Sequence, residues 1–318
     1  LFSIIEDLKR SNIAIAYISH RLEEIGKISD YVSVLKDGKL MATKKIQNIN
    51  PQEMIKLMVG RDVKGVFKDE VREINNDILF EVQNLNNSKF FEDINFNIKK
   101  GEIVGFSGLI GAGRTELALT LFGFHQSESG KVILDGKEIN IHNPTEAIDA
   151  GIVYVSEERR EKGLFTEMSV RNNLISPNLN LVSKSGILNN NRINQLTKKS
   201  IDQLNIKTNS DETYVLKLSG GNQQKIALGK WLPKNPKLLI IDEPTRGVDV
   251  GAKQEVYKII RDLSNQGTSI MLISSELPEI IGICDRTIVM QSGKIMGEIL
   301  KKDFSEELIL KYASGYSE

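Results

Sequence analysis

A single cysteine, Cys284, is present in 318 residues, which excludes an internal disulfide framework and fits a reducing compartment. No apolar stretch approaches the ~18–20 residues needed to cross a bilayer. No segment has the form of a signal peptide. Neither sign of charge is in excess: 42 Lys and Arg stand against 42 Asp and Glu, so net charge argues neither for nor against a nucleic-acid partner. An initiating methionine is also missing. The chain opens at Leu1 inside an amphipathic pattern, Phe2, Ile4, Ile5 and Leu8, which raises the expectation that it starts within a domain and that something lies upstream. What is present is enough chain for one large or two ordinary domains with real cores.

An internal duplication supports that expectation. Residues 1–61 resemble residues 256–316. "IIEDL" at 4–8 pairs with "IIRDL" at 259–263, "YISHRLEEI" at 17–25 with "LISSELPEI" at 272–280, and "SDYVSVLKDGKL" at 29–40 with "CDRTIVMQSGKI" at 284–295. The offset is constant, so position 20 falls on 275 and position 38 on 293. This is a duplicated domain rather than a solenoid, whose periods are ~20–50 residues. Residues 1–61 read as the end of a first copy, 62–77 as a charged linker, and 78–318 as a whole second copy.

Alternating apolar runs and helical patterns predict an α/β fold with a mainly parallel sheet, covered on both faces. Residues 12–19, 79–84, 93–99, 102–107, 152–155, 237–241 and 268–273 read as strands. Asp30–Leu40 gives two short strands, and residues 131–141 a hairpin turning at Asp135-Gly136. Residues 20–26, 51–59, 114–122 and 252–264 read as helices. Residues 163–236 turn helical and Asn-rich, as in an inserted helical subdomain, with 178–195 a loop by composition. Cys284 and Trp231 read as packing residues, and Arg159, Arg160 and Lys162 as a solvated loop.

Three stretches carry chemistry. In the first, an apolar strand, Glu102-Ile-Val-Gly-Phe-Ser107, runs into Gly108-Leu-Ile-Gly-Ala-Gly-Arg-Thr115 and then a helix. This is the context and pattern of a phosphate-binding loop, G-x-x-x-x-G-K-[ST], except that Arg114 replaces the lysine. Gly108, Gly111, Ala112 and Gly113 can turn backbone N–H groups toward phosphate oxygens, with the positive helix end and its first turn, Arg114 to Glu116, behind them. Arginine keeps the charge but presents a wide planar fork, so the exchange is not conservative. The Thr115 hydroxyl is placed to ligate Mg²⁺. In the second, Lys237-Leu-Leu-Ile-Ile-Asp-Glu-Pro-Thr245, an apolar strand ends in two carboxylates. Asp242 can hold Mg²⁺. Glu243, pointing the other way, can face a water in line with a γ-phosphate as general base. In the third, Leu218-Ser-Gly-Gly-Asn-Gln-Gln-Lys225, two glycines open a helix, and Ser219, Gly220 and Gly221 form a second anion-binding start.

Together these stretches resemble the ATP-binding-cassette ATPases. Gly108–Thr115 matches that family's Walker A loop, Leu238–Glu243 its Walker B strand, and Leu218–Gly221 its signature. The longer strings "GLIGAGRTE", "LSGGNQQK" and "DEPTRGVDVGAK" resemble the second cassette of the double-cassette ATPases that power bacterial import of ribose, xylose or galactosides. The resemblance implies a P-loop NTPase core with an antiparallel β subdomain and an inserted helical subdomain. It implies ATP and Mg²⁺ as ligands and a peripheral position on the cytoplasmic face of the membrane. The partners it implies are polytopic permease subunits, the N-terminal cassette that this chain lacks and, indirectly, a periplasmic or lipoprotein sugar-binding protein, with no nucleic acid. Each ATP would lie between one cassette's Walker A loop and the other's signature.

Carried residue by residue, the resemblance also shows departures. The Walker A lysine is Arg114. The glutamine that ligates Mg²⁺ and water is Glu157. The switch histidine is His20 in the first copy but Ser275 in the second. The aromatic that stacks on adenine has only Phe90 or Phe91 as a candidate. Asp249 fits the D-loop aspartate, and Glu243 is retained. The departures imply two unequal sites. The site built on Arg114, Thr115, Asp242 and Glu243 is expected to bind nucleotide and turn over slowly. The site completed by His20 and Ser219–Gly221 is expected to carry most hydrolysis. Residues 157–172 fall where such cassettes meet the membrane subunit. The alternative readings are a non-transport cassette ATPase acting on nucleic acid or ribosomes, whose usual coiled-coil or basic insertions are not seen, and a nucleotide-binding module that does not hydrolyse. The sugar is not legible in this chain.

Overall fold

The strand Leu238–Asp242 is buried at every position, and so is Ser269–Ile273. Strands with no polar face need cover on both sides, which a parallel sheet flanked by helices provides. They lie inside a six-stranded sheet of order Lys294–Leu300, Arg286–Gln291, Ile103–Gly108, Ser269–Ile273, Leu238–Asp242, Ile152–Val155. Every pairing is parallel except that of Lys294–Leu300, an antiparallel hairpin edge. The carboxyl ends of the parallel strands therefore share one edge, where open α/β sheets bind ligands. The register sets Asp242 beside Ile273, Ile273 beside Phe106, and Ile241 beside Val155.

The computed structural model describes residues 2–18, 22–36, 39–50, 53, 54, 57, 72 and 74–315. The chain divides into two units, Leu1–Phe67 with Val248–Glu255, and Lys68–Gly247 with Val256–Glu318. The second unit holds the six-stranded sheet and a four-stranded antiparallel sheet of order Phe91–Lys99, Ile78–Asn87, Ser129–Leu134, Lys137–Ile139. Asp135 and Gly136, at φ 49° and 75°, make the tight turn of the last hairpin. One core joins the two sheets: Phe80, Phe96 and Ile98 pack with Phe106, Leu117, Ile240 and Met271. Phe96 and Phe106 meet edge-on at 5.1 Å between centroids. Each of these buried side chains contributes roughly 1.5–3 kcal/mol relative to exposure. Cys284 is fully buried behind Gly105, where an added Cβ would lie 2.9 Å from its sulfur. Trp231 is buried as well.

The helical segment contains Val170–Ile175, Asn190–Leu204 and Gly220–Gly229. The loop expected over 178–195 is instead structured. It holds the helical turn Leu179–Val182, a hairpin pairing Ile187 with Lys184, and the start of Asn190–Leu204. Its asparagines do specific work: the Asn189 side chain caps the helix by accepting from Arg192 N at 3.1 Å. Loop-like composition was here the composition of caps and turns.

The first unit carries helices Phe2–Arg10 and Leu22–Ile28 and the hairpin Tyr31–Lys36 with Lys39–Lys45, packed on Ile25, Val32, Val34, Ile49 and Met54. The strand expected at 12–19 is not formed over 13–18, and Ile13, Ile15 and Ile18 are exposed. The matching segment 268–273 lies between Ile103–Gly108 and Leu238–Asp242. Among the described residues nothing pairs with 13–18, and a strand without partners is not stable. Residues 53, 54 and 57 are helical, and the rest of 51–59 lies outside the described residues. Of the expected linker, 72 and 74–77 are described and carry no regular structure; Arg72 Nη2 donates to Asp285 Oδ2 at 2.7 Å and to Gly101 O at 3.0 Å. Among the described residues no helix is long and apolar enough to cross a membrane.

Candidate functional site: a glycine-lined loop beside an acidic strand tip

The loop after Ile103–Gly108 turns through Gly108, Gly111 and Gly113, all at positive φ, and delivers the chain to the helix Arg114–Leu121. Two of these glycines are required by their neighbours. A Cβ on Gly108 would lie 2.3 Å from Met290 O, and one on Gly113 3.0 Å from Phe90 O. Ala112 is buried, its N–H donating to Leu109 O at 3.1 Å and its carbonyl accepting from Gly293 N at 3.0 Å. The loop is thus braced on its protein side. Ile110 at its crest is 98% exposed, so no side chain covers it.

Thr115, in the first helical turn, donates to Asp242 Oδ2 at 2.8 Å, so the loop and the acidic strand tip meet. Tyr154, which the sequence reading did not single out, donates to the same oxygen at 3.0 Å. Asp242 is fully buried, and burial pushes its carboxyl up to about 6 against the hydrogen bonds from Thr115 and Tyr154. Its second oxygen, Oδ1, is buried without a partner. A buried carboxylate with one unmet oxygen next to a helix-start hydroxyl suits a hard cation. Among the described residues no three His, Cys, Asp or Glu side chains converge.

Glu243 has φ 47°, a left-handed conformation that turns its side chain away from that of Asp242. Its Oε1 accepts from Ser275 N at 2.7 Å. Burial raises its pKa, opposed by the hydrogen bonds from Ser275. Ser275, at the expected switch position, therefore holds the carboxylate through its backbone. Arg114 is buried and its Nη1 donates to Ser274 O at 3.0 Å, next in chain to Ser275. Burial lowers its pKa, with Glu243 and then Asp242 opposing. The arginine thus reaches sideways to the switch segment. The same segment is supported from below: Thr245 Oγ1 donates to the buried Glu279 Oε1 at 3.1 Å, and burial pushes the Glu279 carboxyl up to about 7.

Glu157 is not brought onto Asp242; its carboxylate pairs with the Arg246 side chain. It does line, with Thr115, Glu116, Tyr154 and Asp242, a cavity of about 740 Å³ whose apolar wall is Phe122, Ile148 and Trp231. Lys230, held by Gly163 O at 2.5 Å, also lines it, and burial lowers its pKa to about 8. Of the two aromatic candidates for adenine, Phe91 is buried in the core, whereas Phe90 is half-buried and stacks near His125 at 4.9 Å between centroids. Ser219 precedes the helix Gly220–Gly229; its hydroxyl accepts from Asn222 Nδ2 at 3.1 Å, and Gly221 is buried. Asp249 caps the start of the helix Val250–Asn265 by accepting from Ala252 N at 3.0 Å. His20 lies outside the described residues.

Arg160 and Lys162 are exposed, as expected of a solvated loop, but Arg159 is not. It is buried, and Nη1 and Nη2 donate to Arg246 O and Gly247 O. Arg160 and Lys162 have partners too, Gln223 Oε1 and Glu158. Tyr154 had a sequence signal, since alternation in Ile152-Val-Tyr-Val155 puts a polar-tipped side chain in a buried strand. Arg159 had none.

The protein-family model for ABC transporters matches residues 91–246. The chain is 46% identical over 99% of its length to the ribose import ATP-binding protein RbsA of Caldanaerobacter subterraneus subsp. tengcongensis, covering 64% of that protein. It is 42% identical over 99% of its length to a putative ribose/galactose/methyl galactoside import ATP-binding protein of Halalkalibacterium halodurans, covering 60%. The chain thus spans less than two thirds of the length of these relatives. Among solved structures, a nucleotide-free ATP-binding cassette from an ABC transporter matches 74% of this chain and 98% of its own, with TM-score 0.63 and 21% identity. The cbiO1 cassette of Clostridium perfringens matches 74% and 93%, with TM-score 0.61 and 24% identity. These two likenesses show that the chain shares the fold of those cassettes.

Proposed function

We propose that the chain, whose residues 91–246 match the family model for ABC transporters, binds and hydrolyses ATP to power import of a monosaccharide. The observation that carries the reading is the Thr115–Asp242 junction, with Asp242 Oδ1 unmet, under a braced glycine loop. In this reading Gly108, Gly111, Ala112 and Gly113 cradle the phosphates and Phe90 is the aromatic beside the adenine. Thr115 and Asp242 would hold Mg²⁺, which supplies charge neutralisation to the phosphates. Glu243 orients and deprotonates the attacking water, once nucleotide draws it off Ser275 N. Ser219–Gly221 face the nucleotide of the other cassette, whose site His20 completes, and Asp249 is the D-loop aspartate. Glu157, tied to Arg246, stands at the edge of the metal site.

The chain's similarity to sugar import ATP-binding proteins supports permease subunits in the membrane, a sugar-binding protein beyond them, and a peripheral place on the cytoplasmic face. An exposed apolar patch favours docking near 157–172. Phe165, Met168, Tyr214 and Leu216 are each about half exposed, on two segments joined by Val215 N to Met168 O at 3.0 Å and Leu216 N to Thr166 O at 2.9 Å. Titration of this chain with a fluorescent ATP analogue tests the central claim. Binding is expected to strengthen with Mg²⁺, and Asp242→Asn is expected to remove about tenfold of that Mg²⁺ effect, one charge-assisted contact. Absence of binding at millimolar nucleotide would sink the reading.

A further inference from the structure

Arg159 stands in a run of charge, Glu157-Glu-Arg-Arg-Glu-Lys162, yet it is only 8% exposed. It opens a π-helical turn, Arg159–Gly163, just beyond the strand Ile152–Val155. Nη1 donates to Arg246 O at 2.5 Å and Nη2 to Gly247 O at 3.1 Å. Those carbonyls follow the acidic pair 242–243 and precede Asp249 in sequence. The same guanidinium fills the space under the first turn of Gly220–Gly229. A Cβ on Gly220 would lie 3.0 Å from Arg159 Nη2 and 2.7 Å from Gly247 O. Two further links run between these segments: the Glu157 carboxylate to the Arg246 side chain, and Arg160 Nε to Gln223 Oε1 at 2.9 Å. Gln223 is itself fully buried, donating to Val215 O and Leu218 O.

We propose that Arg159 is a positioning residue. It fixes the start of the signature helix and the backbone at 246–247 to the segment that follows Ile152–Val155, so that these three parts move as one when the composite ATP site closes. The inference rests on the ATPase reading and deepens it. A planar fork suits the task, because two N–H groups in one rigid plane meet two successive carbonyls. Lysine has a point charge and meets one. Both bonds are charge-assisted, which makes them stronger than neutral ones.

The test uses Arg159→Ala and Arg159→Lys in the two-cassette protein, with Tm, KM for ATP and kcat measured together. The expected result for Arg159→Ala is a kcat lowered about tenfold or more at a KM within about twofold, the signature of an interaction needed at the transition state rather than for binding. Arg159→Lys is expected to fall between. A merely structural role would lower Tm, with KM raised and kcat lowered together. In this chain alone, amide exchange at 220–223 and 245–247 is expected to quicken on the order of tenfold in Arg159→Ala while that of 238–241 holds. Unchanged exchange, or a kcat within about twofold of the parent's, overturns the proposal. A parent protein that hydrolyses no ATP would instead overturn the ATPase reading, and the exchange measurement would still judge the bracket.

Discussion

The helix Leu22–Ile28, the strands Tyr31–Lys36 and Lys39–Lys45 and the 3-10 turn Ile46–Asn48 recur at a constant offset as Leu277–Ile283, Arg286–Gln291, Lys294–Leu300 and Lys301–Asp303. Even the irregularity recurs: the hairpin register shifts between Val34 and Leu35 in one and between Val289 and Met290 in the other. Burial recurs only in part: Ile25, Ile28 and Val34 are buried, as are Ile280, Ile283 and Val289. Leu35 is 65% exposed where Met290 is fully buried, and Ile15 is exposed where Ile270 is buried. A helix, a hairpin and a bulge are specified within a few residues. A parallel strand needs neighbours from distant parts of the chain, so 269–273 becomes a strand and 13–18 does not. Chemistry divides the same way. His20 and Ser275 share a position, as do Glu24 and Glu279, yet each pair differs in residue or surroundings.

The sharpest break of that comparison is catalytic. In the two-cassette protein His20→Ala is expected to lower ATP turnover by about 10², the scale of removing one preorganised donor. Ser275→Ala should change it by less than about twofold. Near-normal turnover in His20→Ala would mean that the two sites are not unequal in the sense proposed. The result is read as steady-state phosphate release.

A smaller effect distinguishes the two glutamates. Glu24 is half-buried and accepts from Tyr17 OH at 2.9 Å, whereas Glu279 is buried against Thr245. Burial raises the folded-state pKa of Glu279 to about 7 from a model-compound value of 4.5. Between those values the folded state holds a proton that the unfolded state has lost, so stability falls as pH rises through the window. The penalty levels off above pH about 7, at roughly 3 kcal/mol for a shift of this size. Glu279→Gln removes it. The variant is expected to gain about 3 kcal/mol at pH 8 and nothing near pH 4.5, with Glu24→Gln within about 0.5 kcal/mol throughout. Denaturant unfolding at the two pH values decides it.

The same division explains what the sequence could and could not disclose. Gly108–Thr115, Leu238–Glu243 and Leu218–Gly221 are local strings, each with its own physical reason, and they foretold the loop, the strand tip and the helix start. The meeting of Thr115 with Asp242 followed from a parallel sheet, because parallel strands end at one edge. Tyr154 on Asp242, Arg159 on Arg246 and Gly247, and Glu279 under Thr245 span from 34 to 88 positions. No periodicity or spacing connects such residues. The asparagines of 178–195 misled for another reason, since caps and loops use the same amino acids.

The smallest expected effect concerns repair of the weak position. Arg114 and Glu243 both end on residues 274–275: the guanidinium on Ser274 O, the carboxylate on Ser275 N. In the proposed reading, residues 274–275 thereby occupy the two groups that chemistry at this site would need. Arg114→Lys shortens the fork to a point charge and releases Ser274 O, and Ser275→His restores a side chain able to donate to a phosphate oxygen. Neither change moves Glu243 off the backbone N–H of residue 275, nor Glu157 off Arg246. The pair is accordingly expected to raise turnover at this site only about threefold, well below a full donor's ~10², measured with His20→Ala in place so that the stronger site is silent. A gain near 10² would show that the lysine and histidine alone separate the two copies. No gain at all would place the limit at Glu157 and make its exchange for glutamine the deciding variant.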